Sequence, residues 1–195
     1  MTTSNRETEI KLAVPDAASA AALLQRAGFH ESAPRAFESN ELWDFADSRL
    51  RSSRQILRIR ECRGQTVLTY KGPPEAGPHK VREELEVGVD SAAPLRLIAG
   101  RLGLTAGYRY EKYRTEFSLP SGAGVATLDE TPIGTFLELE GEASWIDAMA
   151  ASLGFAPGDY ILASYATLWN EYARRNGLDP AAGMVFPRAF GDEAP

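Results

Sequence analysis

Three charged residues, Glu7, Glu9 and Lys11, alternate with other residues near the start of the chain. Alternate side chains of a β-strand point to the same face, so the two carboxylates and the ammonium would lie together. Ile10 and Leu12 would then be the core-facing residues of this strand. The charged face could meet bulk water, which is the usual environment of Glu and Lys, or it could line a polar cavity. These residues alone favour the solvated face.

The same pattern returns in six further segments, and this repetition favours the cavity. Segments 57–60, 66–71, 82–86, 112–116, 127–129 and 138–140 each place polar or charged residues at every second position. Seven short strands of this kind predict a sheet closed around a polar interior. Burying so many charges is tolerable only if they pair or bind ions and a charged ligand. The residues predicted to face inward are Glu7, Glu9, Glu84, Glu86, Asp129, Glu138 and Glu140, with Lys11, Arg58, Arg60, Lys71, Arg82, Lys112 and Arg114.

The order of these motifs resembles that of the CYTH proteins, also called triphosphate tunnel metalloenzymes. The resemblance covers about residues 5 to 176, and its motifs are Glu7-x-Glu9-x-Lys11, Leu57-Arg-Ile-Arg60, Leu68-Thr-Tyr-Lys-Gly-Pro73, Arg82-Glu-Glu-x-Glu86, Glu111-Lys-x-Arg114, the run from Leu128 to Glu140, and Ser164-Tyr165. It implies an α+β fold, an eight-stranded antiparallel closed β-barrel with covering helices. It also implies that the barrel binds a triphosphate-bearing substrate with divalent metal ions.

Within this resemblance, the residue types suggest a division of roles. Bidentate arginines and lysine point charges suit phosphate oxygens, so the predicted phosphate clamp is Lys11, Arg58, Arg60, Lys71, Arg82, Lys112 and Arg114. Mg²⁺ and Mn²⁺ prefer oxygen ligands, so Glu7, Glu9, Glu138 and Glu140 are predicted to hold one ion, with Asp129, Glu84 and Glu86 near it or at a second. Lys71, Glu84 and Glu9 are the predicted catalytic residues.

Two reactions fit such a tunnel. Water could attack the terminal phosphorus of tripolyphosphate, thiamine triphosphate or a nucleoside triphosphate, or a ribose hydroxyl could attack the α-phosphorus of ATP and form cyclic AMP. We favour the triphosphatase, with a class IV adenylate cyclase as the alternative. Leu42 and Trp43 depart from the family's tyrosine-rich strand, which leaves the substrate's identity open. A non-catalytic polyphosphate binder is disfavoured, because binding a polyanion would be better served by fewer carboxylates.

Helices are predicted between the strands at 17–27, 90–103, 145–153 and 164–176. The first begins after Asp16 and is followed by Gly28, an ordinary start and stop. In the second, Leu95, Leu97, Ile98 and Leu102 are predicted to form the buried side. The seven residues 72–78, rich in Gly and Pro, predict an open loop. We assign residues 1–176 to the CYTH domain and 177–195 to an extended or partly disordered tail.

Composition limits the remaining possibilities. The net charge of −6 argues against nucleic acid as a partner. Cys62 is the only cysteine, so no intrachain disulfide is possible, and His30 and His79 are too few for a Cys/His metal site. No apolar signal or membrane segment is seen, which predicts a cytoplasmic protein without a membrane partner. The predicted assembly is a monomer or homodimer.

Overall fold

The computed structural model describes residues 6–187, which form a closed antiparallel barrel of eight strands with five helices around it. The strands are β1 (Arg6–Val14), β2 (His30–Phe45), β3 (Ile56–Cys62), β4 (Gln65–Lys71), β5 (Lys80–Val89), β6 (Leu104–Ser118), β7 (Gly124–Thr131) and β8 (Gly134–Gly141). The helices are α1 (Ala17–Arg26), α2 (Arg49–Ser52), α3 (Ala92–Arg101), α4 (Ala143–Ser152) and α5 (Tyr165–Asn176). Around the barrel the strand order is β1-β5-β4-β3-β2-β6-β7-β8. The predicted fold class is confirmed.

The first strand shows how sequence alternation builds the wall. Ile10 and Leu12 are fully buried on the outer face, where they join a core with residues of α1 and α4. Glu9 and Lys11 point the other way, into the lumen, and are 6% and 2% exposed. Because β1 pairs with both β5 and β8, it closes the barrel.

Helix ends follow the local signals. The side chain of Asp16 accepts a hydrogen bond from the Ser19 amide at 2.8 Å and begins α1. The Ser164 hydroxyl does the same for Thr167 and begins α5, and Gly177 ends α5 with a φ of 67°.

The buried side predicted for α3 is wrong for three of its four residues, and only Leu95 packs against the core. Leu97, Ile98 and Leu102 are 70%, 57% and 68% exposed, whereas Ala92 and Ala99 are buried. Ala92 and Ala99 lie seven residues apart, two helical turns, so the small side chains mark the face that contacts the barrel. The alanines let the helix approach the sheet closely, and Leu97, Ile98 and Leu102 remain on its outer side.

The segment after Gly177 also differs from the tail that we predicted. The Met184 amide donates to the Arg109 carbonyl at 3.0 Å, and the Glu111 amide donates to the Met184 carbonyl at 2.8 Å. Met184 is fully buried. Gly183 has a φ of 80°, and a Cβ there would lie 2.5 Å from the Arg109 carbonyl oxygen, so this approach requires glycine. The segment therefore extends the wall beside β6 as far as residue 187; the part of the prediction for residues 188–195 lies outside the described residues.

Within residues 6–187, no helix has the length and apolar character needed to cross a membrane.

Candidate active site

The lumen of the barrel is a charged cavity of about 980 Å³. All seven residues of the predicted phosphate clamp line it. Six of the seven predicted metal ligands line it as well, and the seventh, Asp129, is fully buried against them. Glu83, next to Glu84 but out of phase with it, is exposed, as strand parity requires. The sequence therefore predicted which residues converge, although convergence alone assigns no role to any of them.

One wall of the lumen, formed by β6, β7 and β8 together with α5, is a saturated ion-pair network. Arg114 donates two hydrogen bonds to Asp129, both at 2.7 Å, and also contacts Glu138. The Lys112 ammonium lies 2.9 Å from Asp129, and the Tyr165 hydroxyl donates to the same carboxylate at 2.7 Å. Burial raises the pKa of Tyr165 well above its usual value, and the neighbouring Asp129 charge adds to this. We call these five residues the paired cluster.

Two lysines meet at Glu9. Lys11 lies 3.1 Å from Glu9 and 2.9 Å from Glu138, and so joins β1 to β8. Lys80, the first residue of β5, lies 2.5 Å from Glu9. Although burial alone would raise it, the pKa of Glu9 falls well below its usual value, because Lys11 and Lys80 favour the charged carboxylate.

Lys71 holds a second pair of carboxylates. Its ammonium lies 2.7 Å from Glu7 and 3.1 Å from Glu84. Burial raises the pKa of Glu7 to about 8, with a further rise from the neighbouring Glu9 carboxylate that Lys71 only partly offsets. Glu7 is therefore a carboxyl group with too little positive charge around it.

The arginines of β3 reach across to β5. Arg58 contacts Glu86 at 3.2 Å and Glu84 at 3.7 Å, and it donates to the Thr69 hydroxyl at 3.1 Å. Arg60 lies 3.4 Å from Glu86. Glu86 itself is exposed at the rim of the lumen, so these contacts lie at the outer end of the lumen.

Arg82 is the least satisfied cation of the lumen. It is 4% exposed, yet its Nε and Nη1 atoms have no hydrogen-bond partner within residues 6–187. Its Nη2 atom donates only to the Arg54 carbonyl, at 3.5 Å. Burial lowers the pKa of Arg82 below its usual value. Buried guanidinium groups usually have all their nitrogen atoms hydrogen-bonded, so Arg82 is an exception.

Glu140 is the corresponding unpaired acid. It makes no ion pair among the described residues, and its register partner on β1 is another acid, Glu9. Its surface is open to the lumen, but the surrounding walls displace bulk water. This desolvation, followed by the nearby Glu9 and Glu84 carboxylates, raises the pKa of Glu140.

As the side chains stand in residues 6–187, no three acidic, histidine or cysteine side chains form a preassembled metal-binding group. The acids are instead drawn towards lysines and arginines on neighbouring strands. The lumen therefore contains the oxygen ligands that a divalent ion prefers without presenting them as a finished site.

Several lumen residues escaped the sequence analysis. Lys80 shares the parity of Arg82 and could have been included on that ground. Glu38 is 2% exposed and lies 3.5 Å from Lys112, its register partner across β2 and β6. Lys112 and other lumen cations lower the pKa of Glu38 despite its burial. The pairing of β2 with β6 was the missing signal, since charge parity along one strand does not reveal its neighbour.

Comparisons with known proteins agree with this architecture. The family model of the CYTH domain matches residues 5–153. A curated relative, named "Putative adenylate cyclase MJ0240" from Methanocaldococcus jannaschii, is 31% identical over 134 residues, which are 69% of this chain and 75% of the relative. The structure is a closed barrel whose lumen is lined by acidic and basic side chains. The chain belongs to the CYTH domain family.

Solved structures confirm the fold. The PH1819 protein from Pyrococcus horikoshii OT3 superposes with a TM-score of 0.71 at 23% identity, covering 85% of this chain and 99% of that one. HpAC1 from Hippeastrum, an adenylyl cyclase relative described as having a dominant triphosphatase activity, superposes with a TM-score of 0.60 at 21% identity, covering 89% of this chain and 96% of that one. At these identities the likeness concerns the fold.

Proposed function

We propose that this protein hydrolyses a triphosphate in its lumen with the help of a divalent metal ion. The observation that carries the proposal is Arg82, a buried guanidinium of a cavity-lining residue, two nitrogen atoms of which have no hydrogen-bond partner within residues 6–187. Leaving a buried charged group unsatisfied costs stability. A phosphate oxygen is the ligand that would satisfy it best, because Arg binds phosphate through charge-assisted hydrogen bonds.

The remaining clamp residues would surround the same anion. Arg58, Arg60 and Lys71 lie on the strands β3 and β4, and Lys11, Lys112 and Arg114 complete the ring from β1 and β6. A triphosphate carries roughly four negative charges, so it can exchange with the carboxylates that now pair with these cations. Such an exchange would free carboxylates for metal binding as the phosphate enters.

The acids of the lumen fit Mg²⁺ or Mn²⁺ in their chemistry. Glu7, Glu9, Glu138 and Glu140 lie on the neighbouring strands β1 and β8 and present only oxygen atoms. Glu7 and Glu140 have raised pKa values because burial and adjacent carboxylates are not balanced by cations. We propose these four as ligands of one ion, with Glu84, Glu86 and Asp129 near it or at a second. A bound ion would supply charge neutralisation on the phosphate oxygens and the leaving group.

The chain's own residues would then orient the reaction. Lys71 would hold a phosphate oxygen, and Glu84, which Lys71 and Arg58 hold in place, would accept the proton of the attacking water. The oxygen of that water forms a bond to the terminal phosphorus, and the bond to the bridging oxygen breaks. The terminal phosphorus is released as orthophosphate, and the electron pair of the broken bond stays on the bridging oxygen of the diphosphate. Glu9 would contribute through the metal ion.

The second candidate is an adenylate cyclase, favoured by the name of the curated relative at 31% identity. Both reactions use the same clamp and differ in which phosphorus is attacked. Product analysis separates them. Purified protein is incubated with tripolyphosphate, thiamine triphosphate and ATP, each with Mg²⁺ or Mn²⁺, and scored for orthophosphate, pyrophosphate and cyclic AMP. Orthophosphate supports the hydrolase, whereas pyrophosphate with cyclic AMP from ATP replaces it with the cyclase. Absence of every product removes both.

A further inference from the structure

Lys80 and Glu9 form the closest lysine–carboxylate contact of the lumen. The two residues are register partners across β1 and β5, and their side chains are 11% and 8% exposed. The Lys80 ammonium lies 2.5 Å from Oε1 of Glu9. The contact is thus a nearly dry ion pair at a residue that we have proposed as a metal ligand.

Lys80 differs from the other lysines around it. Lys11 bridges Glu9 and Glu138, and Lys71 bridges Glu7 and Glu84, so each of these two cations ties strands together. Among the described residues, Lys80 has Glu9 as its only ion-pair partner. Moreover, Lys11 already contacts Oε1 of Glu9, the same oxygen that Lys80 contacts. Glu9 would therefore remain paired if Lys80 left, and Lys80 is the dispensable member of this trio.

A second cation beside the ammonium groups at Glu9 would be repelled by both of them, and at contact distance this repulsion is strong in a medium of reduced dielectric constant. Removing the Lys80 ammonium would remove part of that repulsion and leave Lys11 on Glu9. We propose that Lys80 is a built-in competitor of the metal ion. Its ammonium occupies the cation position on Glu9 in the metal-free protein and lowers the affinity of the lumen for a divalent ion. The identity of the competing ion rests on the proposed function.

The position of Lys80 in the fold allows it to leave Glu9. It is the first residue of β5 and follows the irregular loop at 72–79, so only one side of it is held by a strand. Lys80 also lines the cavity that would receive the phosphates. Displaced from Glu9, its ammonium has an anion to bind when a triphosphate is present. Metal and triphosphate would then each favour the binding of the other, a coupling that is reciprocal by thermodynamic necessity.

The test is Mn²⁺ binding by titration calorimetry to the full chain without substrate, in the wild type and in Lys80→Met. Methionine keeps a long apolar stem and removes the charge. We expect Mn²⁺ to bind Lys80→Met about tenfold tighter or more, within the usual range of a coupling between neighbouring sites. Lys80→Arg, which keeps a cation, should stay near the wild type. Arg35→Gln is the control, because it removes a cation whose ion pair with Glu130 lies outside the lumen; it should change the affinity less than threefold (about 0.7 kcal/mol).

The outcomes separate this inference from the proposed function. Equal Mn²⁺ affinity in the wild type and Lys80→Met overturns the competition and leaves a metal-dependent hydrolase intact. Equal tightening in Lys80→Met and Arg35→Gln also overturns it, because the effect would come from the net charge of the protein and not from the cation at Glu9. Mn²⁺ binding to neither the wild type nor Lys80→Met, even with tripolyphosphate present, overturns the inference and the proposed metal dependence together. If Lys80→Met does not fold in a melting experiment without metal, the comparison is made with Lys80→Gln.

Discussion

The paired cluster and two other charged residues of the lumen, the buried Arg82 and the more open Glu140, differ in how completely they are ion-paired. Asp129 receives hydrogen bonds from Arg114, Lys112 and Tyr165 and is fully buried. Arg82 and Glu140 lack ion-pair partners among the described residues. A buried charge whose ion pairs and hydrogen bonds are complete in the free protein acts mainly to hold the fold. A charge without them is available to a ligand.

This contrast refines the list of metal ligands obtained from the sequence. Asp129 satisfied the parity rule as well as Glu140 did, but its oxygen atoms are already engaged by three donors. Glu140 is open. We therefore expect Asp129 to act mainly by fixing Arg114 and Lys112, and Glu140 to act mainly by binding metal.

The largest expected effect is on stability, from Asp129→Asn. This change leaves Lys112 and Arg114 buried with less negative charge, and removing one partner of a buried pair typically costs about 3 to 5 kcal/mol. Urea unfolding measures the loss. Glu140→Gln is the matched control, an isosteric change at a lumen acid without a partner, and should leave the unfolding midpoint unchanged or slightly higher. Equal losses in the two variants would abolish the distinction between the two regions.

The second effect is on ligand binding, from Arg82→Met. Because the guanidinium is buried without an ion-pair partner among the described residues and makes only a long hydrogen bond to the Arg54 carbonyl, replacing it should not lower the melting temperature of the free protein. Tripolyphosphate stabilises the wild type by binding the folded state, and the variant should lose about 1.5 to 3 kcal/mol of that binding, the value of a charged hydrogen bond. Melting curves at several tripolyphosphate concentrations give both quantities.

The control for Arg82→Met is Arg35→Ala, which removes an exposed arginine paired with Glu130 on the outer surface. It should respond to tripolyphosphate as the wild type does. A normal tripolyphosphate response in Arg82→Met would contradict phosphate binding by Arg82, on which the proposed function rests.

The third effect is a change of stability with pH, from Glu7. Its pKa is raised to about 8 in the folded protein from a usual value of 4.5, so between these limits the folded state holds a proton that the unfolded state has lost. Stability should therefore be greater near pH 5 and fall as the pH rises towards 8, by at most about 1.4 kcal/mol per pH unit from this group. Thermal melts of metal-free protein between pH 5.5 and 8 measure the fall, and Glu7→Gln should flatten it. An unchanged slope in that variant would show that the uncompensated charge lies elsewhere.

Most of what the sequence could predict came from the alternation of charged and apolar residues along each strand. A strand has only two faces, so Glu7, Glu9 and Lys11 had to share one, and the family resemblance supplied the closed barrel. The sequence could not predict which residues pair across neighbouring strands, because register depends on packing between distant segments. Sequence analysis therefore placed Asp129 and Glu140 in one group and gave Lys80 and Glu38 no role.

Helix α3 shows a different limit. Its large apolar residues suggested the buried side, but burial was decided by how closely the helix approaches the barrel, which favours Ala92 and Ala99. The contacts of the segment that ends with Met184 escaped prediction for a related reason. Its prolines and small residues are typical of a loose tail, and its position depends on the part of β6 that β7 leaves unpaired.

The closure of the barrel by β1 has a consequence for biosynthesis. The first strand leaves the ribosome first, but its partners are β5, which begins at Lys80, and β8, which begins at Gly134. During translation β1 must therefore wait with an unpaired edge and three buried-type charges in water until the last strand is made. Contacts so far apart in sequence form slowly, because the chain must close a long loop before they contribute. Synthesis halted before Gly141 should therefore yield an open sheet without a lumen.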